Sequence, residues 1–342
     1  MSSSSSSSSE IAPGGRSCEL FHDEIFAKLR RKDGVPDGFA NEGWSFDSLK
    51  GSSGKGGTQM SKIGNSYIVK ELGSEDHTTL LQIGASLGQH LESGDSLLCP
   101  VYLHFKDTES GRLFFVMKNT LGSGPFKVLY DLKGCNDDKM LEEDGHKIPA
   151  VHKRIWRMNM WCGRSQWSEE REQYYEGKMK AQHCEIRLSP PEHRQFLAML
   201  ERDSDWLVRN NLMDYSLLVS VREPRNIKDE YDWGQNPIRN RLKDGTEVVV
   251  NLSIIDYFQR WTMSKKVARI VKIAERNKAT VDPKKYGRRF FKRLSARLVA
   301  VPALLEDQSS LPRLLASRVA VTSSSEEKDC KETEASDSTR SG

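Results

Sequence analysis

The sequence predicts an α+β fold, and three observations carry that expectation. Apolar residues recur at helical spacing in well-separated segments, and short β-branched or aromatic runs stand between them. These helices and strands do not alternate in the regular βαβ rhythm of a doubly wound sheet. A chain of 342 residues is long enough for one large domain or two modest ones around a buried core.

Taken in order, residues 1–16 are Ser-, Gly- and Pro-containing without a period and predict disorder. Leu20, Phe21, Ile25, Phe26 and Leu29 fall at helical spacing, followed by Arg30-Arg31-Lys32 and a stop at Gly34. A glycine-rich turn at 51–57 leads to a short strand, Tyr67-Ile68-Val69-Lys70, and then a helix built on Leu80, Ile83, Leu87 and Leu91. Strands are expected at 101–105, 113–117 and 126–132. Residues 137–190 are charged, rich in Trp and give no clear element. His193 to Arg209 places Phe196, Leu200, Asp203 and Leu207 on one helical face. It leads through the loop Asn210–Asp214 to a strand at 217–221, and a β-branched run at 248–255 ends on Asp256. The tail 306–342 is Ser- and Glu-rich and expected to be mostly disordered, which leaves 17–305 as the folded domain.

Composition excludes several classes. Hydrophobic content is 37%, and no apolar run approaches the roughly 18 residues a membrane-spanning helix needs. Met1 is followed by serines rather than the apolar core of a secretory signal, so the expected setting is cytoplasmic, with any membrane contact peripheral. Cys18, Cys99, Cys135, Cys162, Cys184 and Cys330 form no C-x-x-C pair, which argues against a zinc site or a disulfide framework. Net charge is +4, yet residues 260–297 alone carry 14 Lys or Arg against two acids, Glu275 and Asp282. Such a concentrated basic stretch suits a polyanion met on one side. Within it, Val267, Ile270, Val271 and Ala274 are helically spaced among Lys265, Lys266, Arg269 and Lys272, the pattern of a segment that lies on an anionic leaflet or packs on its own domain. No aromatic stacking pattern accompanies the charge, so nucleic acid is not expected.

Phosphoryl transfer needs a flexible backbone cradle, a lysine on the phosphates, a carboxylate near the attacking hydroxyl and a carboxylate for magnesium. Candidates occur in that order. Gly54, Gly56 and Gly57 allow backbone N–H groups to approach phosphates closely, and Lys70 ends a strand about a dozen residues later. Asp214 lies on a helix-to-strand loop, and Asp256 ends an apolar strand. Each is weak singly: a Gly/Ser-rich loop is more often a linker, and an aspartate after a strand more often caps a turn.

Two strings sharpen this. Tyr130-Asp131-Leu132-Lys133-Gly134 and Met213-Asp214-Tyr215-Ser216-Leu217-Leu218-Val219 closely resemble the paired motifs of the phosphatidylinositol phosphate kinase family. Ser53-Gly54-Lys55-Gly56 resembles its glycine loop, Tyr67-Ile68-Val69-Lys70 its lysine strand and Phe115-Val116-Met117-Lys118-Asn119 its hinge strand. Ile254-Ile255-Asp256 matches its metal motif, and Lys265-Lys266 with Asp282-Pro283-Lys284-Lys285-Tyr286-Gly287-Arg288-Arg289-Phe290 resembles its specificity loop, about 260–290, and closing segment. The likeness runs from about Cys18 to Pro302.

The resemblance implies a two-lobed kinase-like fold with antiparallel sheets and flanking helices, using ATP and Mg2+. It implies a catalytic set of Asp214, which positions or deprotonates the attacking ring hydroxyl, Lys133, which offsets charge on the transferred phosphoryl or the substrate phosphate, and Asp131, which orients Lys133 or helps the polar network beneath the phosphates. ATP would be bound by Gly54, Lys55, Gly56, Gly57, Lys70, Met117 and Asn119, and the metal by Asp256. Lys265, Lys266, Lys284, Lys285 and Arg288 would meet the lipid and the anionic membrane surface on the cytoplasmic side. The implied substrate is phosphatidylinositol 4-phosphate, because the closing string is most similar to plant-type 4-phosphate 5-kinases. Arg288 stands where animal type I enzymes tend to have glutamate, so the 5-phosphate or 3-phosphate stays open as substrate. A homodimer is compatible with the family.

Some positions depart from the family pattern. Cys135 replaces serine after Asp-Leu-Lys-Gly, no arginine follows among Asn136–Lys139, and Thr58-Gln59-Met60 stands where aromatics usually follow the glycine loop. Glu75 is the nearest candidate partner for Lys70. Two other function classes compete: a catalytically weak phosphoinositide-binding scaffold, and a soluble inositol polyphosphate kinase. The latter's motif needs a proline at the position of Lys127.

Overall fold

The structure is a computed structural model that describes residues 11–51, 58–151, 167–228, 232–242, 245–261 and 281–301, and the backbone of 319–322. Among the described residues, two antiparallel six-stranded sheets form two lobes, and a small third sheet flanks the second.

The first lobe contains β1 (Cys18–Leu20), α1 (Asp23–Lys32), β2 (Lys50–Gly51), β3 (Gln59–Ile63), β4 (Tyr67–Glu71), α2 (Ser74–Glu92), β5 (Val101–Asp107) and β6 (Leu113–Lys118). Its strand order is β1-β5-β6-β4-β3-β2. The predicted first helix starts later than expected, because Leu20 pairs with Phe105 in the sheet and His22 takes a left-handed conformation before Asp23. Acidic Asp23 and Glu24 open α1, and Arg30, Arg31 and Lys32 close it, complementing the helix dipole at both ends. Leu80, Ile83, Leu87 and Leu91 are buried on α2 as the spacing predicts. Its other side carries Gly88, where a Cβ would stand 2.2 Å from Ile25 Cγ2 on α1, so only glycine permits that approach.

The second lobe contains β7 (Val128–Leu132), β8 (Lys139–Glu143), β9 (His146–Lys147), α3 (Glu169–His183), β10 (Glu185–Leu188), α4 (Pro190–Arg209), β11 (Ser216–Arg222), β12 (Ile238–Arg241), β13 (Glu247–Ile255), α5 (Pro283–Ser295), β14 (Leu298–Ala300) and β15 (Val319–Thr322). The main sheet runs β12-β13-β11-β7-β8-β9. β11 is buried along its whole length, Ser216, Ser220 and Arg222 included, as befits a central strand. Ser189 and Glu192 form a capping box that starts α4. Asp203, a carboxylate on the apolar face of that helix, is fully buried. It accepts from His90 Nε2 at 2.7 Å, Ser96 Oγ at 2.9 Å and the Leu97 N–H at 2.6 Å, tying α4 to the end of α2 and the α2–β5 connection of the first lobe.

The structure adds to the sequence reading at three places. Residues 11–16 pack rather than stay disordered: the Ala12 N–H donates to Asn41 Oδ1, the Gly14 N–H donates to the Ala40 carbonyl, and Pro13 is buried. Within the tail, Val319–Thr322 pairs antiparallel with β10. The stretch 137–190, left without elements, supplies β8, β9, α3 and β10 in its described part.

Candidate active site

Strand register brings the distant motifs together. Leu217 on β11 faces Leu132 of β7 on one side and Ile254 of β13 on the other, and Ser216 faces Ile255. Lys133 is the residue after Leu132, Asp256 the residue after Ile255, and Asp214 lies two residues before Ser216. Antiparallel pairing therefore delivers all three to one edge of the sheet. Asp214 (φ +64°) and Asp256 (φ +56°) are both left-handed there, a conformation few non-glycine residues other than Asp and Asn adopt readily, and one that clusters at functional sites.

The Lys133 ammonium donates to Asp214 Oδ1 and to the Asp214 carbonyl, each at 2.6 Å. Burial opposes the charge of Lys133, yet the carboxylates of Asp214, Asp131 and Asp256 outweigh it and hold its pKa above the ordinary value. The turn carrying Lys133 is capped from below. Buried Asp138 accepts the N–H groups of Lys133 at 2.6 Å and Cys135 at 3.3 Å through Oδ1, and its Oδ2 is 2.6 Å from Arg297. Asp131 lies on β7 itself, two residues before Lys133, facing Lys139 of β8, and pairs with its ammonium at 3.1 Å. The contact of Asp131 is thus with Lys139, and it acts on Lys133 only through its field.

Lys70 reaches the same place from the other lobe. Val69 is buried in the cluster with Ile63, Leu103, Phe105, Phe114 and Val116, so strand alternation turns Lys70 to the opposite face. Its ammonium lies 2.8 Å from Asp256 Oδ1, so its ion pair is made with Asp256 rather than Glu75, which stands in the first turn of α2. The end of β13 is clamped to the first lobe's α2–β5 connection: the Ile254 N–H donates to the Leu97 carbonyl at 2.6 Å, and the Tyr257 hydroxyl donates to the Cys99 carbonyl at 2.5 Å. Met117 pairs with Ile68 and Val101 at the end of β6. The Asn119 N–H donates to the Ser66 carbonyl at 2.7 Å and its amide to the Asn65 carbonyl at 2.8 Å, so in this conformation its donors fix the lobe connection.

Gly54, Lys55, Gly56 and Gly57 lie outside the described residues; the flanking strands β2 and β3 are antiparallel neighbours, with Gly51 opposite Gln59. Lys265 and Lys266 also lie outside them. The implied magnesium can be tested on Asp256, whose side chain is 54% exposed at the sheet edge. No group of three or more His, Cys, Asp or Glu among the described residues could cage a metal. A single exposed carboxylate fits magnesium, which keeps waters and shares nucleotide phosphate oxygens.

Lys284, Lys285 and Arg288 are exposed on α5, a helix the sequence reading did not assign. Its signals were present: Asp282 caps the Lys285 N–H at 3.1 Å, Pro283 follows, and Tyr286, Phe290 and Leu294 recur at i, i+4 and i+8 on the buried face. Lys285, Arg288, Arg289, Lys292, Arg293 and Ala296 line an open groove of about 540 Å³ along it. The inner face seats the site, for a Cβ at Gly134 would lie 3.3 Å from Phe290 Cα.

Comparison with known proteins agrees with this arrangement. The family model described as Phosphatidylinositol-4-phosphate 5-Kinase matches residues 46–239 and 223–297. A Drosophila melanogaster protein named as a 1-phosphatidylinositol 3-phosphate 5-kinase is 22% identical over 278 residues, 75% of this chain and 13% of its own length. A Plasmodium falciparum phosphatidylinositol 4-phosphate 5-kinase is 23% identical over 273 residues, 70% of this chain and 15% of its own length. The chain therefore spans under a fifth of each of these relatives. With the matched model covering most of the chain, and its motifs meeting at one sheet edge, the chain belongs to the phosphatidylinositol phosphate kinase family.

Proposed function

We propose that the chain is a lipid kinase that transfers the ATP γ-phosphate to the 5-hydroxyl of phosphatidylinositol 4-phosphate, giving the 4,5-bisphosphate. One observation carries this reading: Lys70, Lys133, Asp214 and Asp256 gather at one sheet edge, with ammonium–carboxylate distances of 2.6 and 2.8 Å. Positioning and electrostatic stabilisation supply most of the rate in phosphoryl transfer, so converging cations and carboxylates are what the reaction needs.

In this mechanism Lys70 holds the α- and β-phosphates. Asp214, oriented by Lys133, takes the proton of the ring hydroxyl as its oxygen bonds to the γ-phosphorus. The bond from that phosphorus to the β–γ bridging oxygen breaks, and ADP leaves. Lys133 offsets charge on the phosphoryl in flight. Magnesium held at Asp256 would supply charge neutralisation on the phosphate oxygens.

The basic outer face of α5 supports a peripheral place for the enzyme on anionic membranes, on the cytoplasmic side, with Lys284, Lys285 and Arg288 joined by Lys265 and Lys266 from outside the described residues. Each Lys or Arg near such a surface contributes roughly 1 kcal/mol. No helix among the described residues is long and apolar enough to cross a membrane.

The test is transfer of radiolabelled ATP phosphate to liposomes holding each phosphatidylinositol monophosphate separately, with positional analysis of the product. The 4-phosphate is expected to be labelled fastest, at the 5-position. Preferential labelling of the 3-phosphate, the acceptor in the Drosophila relative's name, would replace this substrate assignment with the second reading. Vesicle binding without label on any of them would favour the scaffold.

A further inference from the structure

We propose that Tyr286 is a positioning residue for Asp214, acting through the backbone of Tyr215; this rests on the reading of Asp214 as the group that meets the attacking hydroxyl. Tyr286 is fully buried, and its hydroxyl donates to the Tyr215 carbonyl. The ladder of β11 starts at Ser216, so this bond caps the carbonyl just outside it, next to Asp214. The Asp214 carbonyl, one residue earlier, is taken by the Lys133 ammonium. The two consecutive peptide units on either side of Tyr215 are therefore each held at their carbonyl, and the Met213 N–H donates to the Gln259 carbonyl at 2.9 Å. A left-handed aspartate has no glycine-like freedom to keep it there, so its conformation depends on such restraints.

The helix bearing Tyr286 is itself seated without slack. A Cβ at Gly287 would stand 2.3 Å from Val208 Cγ2 on α4, which makes glycine the only residue that permits this approach. The Tyr286 and Phe290 rings meet Tyr215 edge-on, with centroids at 4.7 and 4.8 Å. At Gly134, next to Lys133, a Cβ would lie 3.2 Å from Arg293 Cβ. One helix thus braces the two turns that carry Asp214 and Lys133, and the Tyr286 hydroxyl is the polar link between that brace and the aspartate's own backbone.

Tyr286→Phe keeps the ring and deletes the link. In the full chain, turnover on phosphatidylinositol 4-phosphate vesicles is expected to fall about tenfold with the ATP KM within about twofold, since small displacements of a reacting group are costly and Lys70 is untouched. Amide hydrogen exchange over residues 212–216 is expected to accelerate about tenfold, a readout that needs no kinase activity. Leu294→Ala, which thins the buried face of α5 but keeps the hydroxyl bond and both aromatic rings, should lower the melting temperature while leaving turnover within about twofold. Wild-type exchange and turnover in Tyr286→Phe, or equal turnover losses in both variants, would overturn the positioning role. Accelerated exchange in a chain that labels no phosphoinositide would uphold the brace and overturn the lipid kinase reading instead.

Discussion

Replacing Lys133 by Met removes an ammonium that makes two hydrogen bonds to one residue, both at 2.6 Å. Hydrogen bonds to charged partners are worth about 1.5–3 kcal/mol each. Asp214's side chain is 24% exposed and Lys133's 18%, so solvent relieves part of the loss and the net destabilisation should be about 2 kcal/mol. A change of that size corresponds to a drop in Tm of roughly 4–8 °C in a domain of 150–250 residues, and somewhat less here. Asp214→Asn should cost a similar amount. Because both changes break the same contact, the double variant should fall short of additivity by about 1–2 kcal/mol. The alkaline limb adds a second check. The folded pKa of Lys133 is raised, so its contribution is complete below the ordinary value of 10.5 and is lost as pH rises through the higher folded value. Urea unfolding of the four proteins at pH 7 and above pH 10.5 measures both effects. Strict additivity at pH 7 would refute the pairing and the electrostatic account built on it.

Other consequences can be checked directly. Asp138→Ala leaves two N–H groups and Arg297 without their buried acceptor, and should cost about 3–5 kcal/mol in urea unfolding while lowering turnover through the displaced Lys133 turn. His104 is fully buried against Phe21 and His77, and burial, with the charges of His77 and His22, depresses its pKa to about 3. Its unfolded form gains a proton below about 6.5 that the native form refuses, so stability is lost as pH falls from there toward about 3. His104→Phe should shallow that acid limb by one proton, about 1.4 kcal/mol per pH unit. Neutralising Lys265, Lys266, Lys284 and Lys285 should cut activity on anionic liposomes far more than on a short-chain soluble substrate, by up to about 4 kcal/mol in vesicle binding. Equal losses on both substrates would point to misfolding.

The site was legible where chemistry and pattern coincide. Lys133, Asp214 and Asp256 flank apolar strands and Lys70 lies near the end of β4; the register of β7, β11 and β13 turns the first three into neighbours, and Lys70 joins them from the other lobe. What the sequence hides is whatever depends on contacts made across the fold. Asp138 looks like one more acid in a charged stretch, and only its burial beneath Lys133 and Cys135 shows it to be a cap. Asp203 fits an apolar helix face because His90, Ser96 and Leu97 satisfy it from the other lobe. Asp131 was expected to orient Lys133 or to help the polar network beneath the phosphates; the β7–β8 register gives its carboxylate to Lys139, a contact the sequence does not show. α5 was hidden by its own charge: the basic residues drew the eye to a loop for lipids, whereas Tyr286, Phe290 and Leu294 form a helical stripe beneath them. Residues 11–16 have no period because one 3-10 turn at Pro13–Gly15, hydrogen bonds to Ala40 and Asn41 and a buried proline hold them.

The arrangement of two ammonium groups and two carboxylates around one transfer is tested most directly by a single-turnover measurement. Enzyme in excess over radiolabelled ATP is mixed with phosphatidylinositol 4-phosphate vesicles, for wild type, Asp214→Asn and Asp256→Asn, with native folding checked by circular dichroism. The account predicts rapid label transfer in the wild type and none above background in either variant. Transfer at the wild-type rate by a folded Asp214→Asn or Asp256→Asn protein would contradict it.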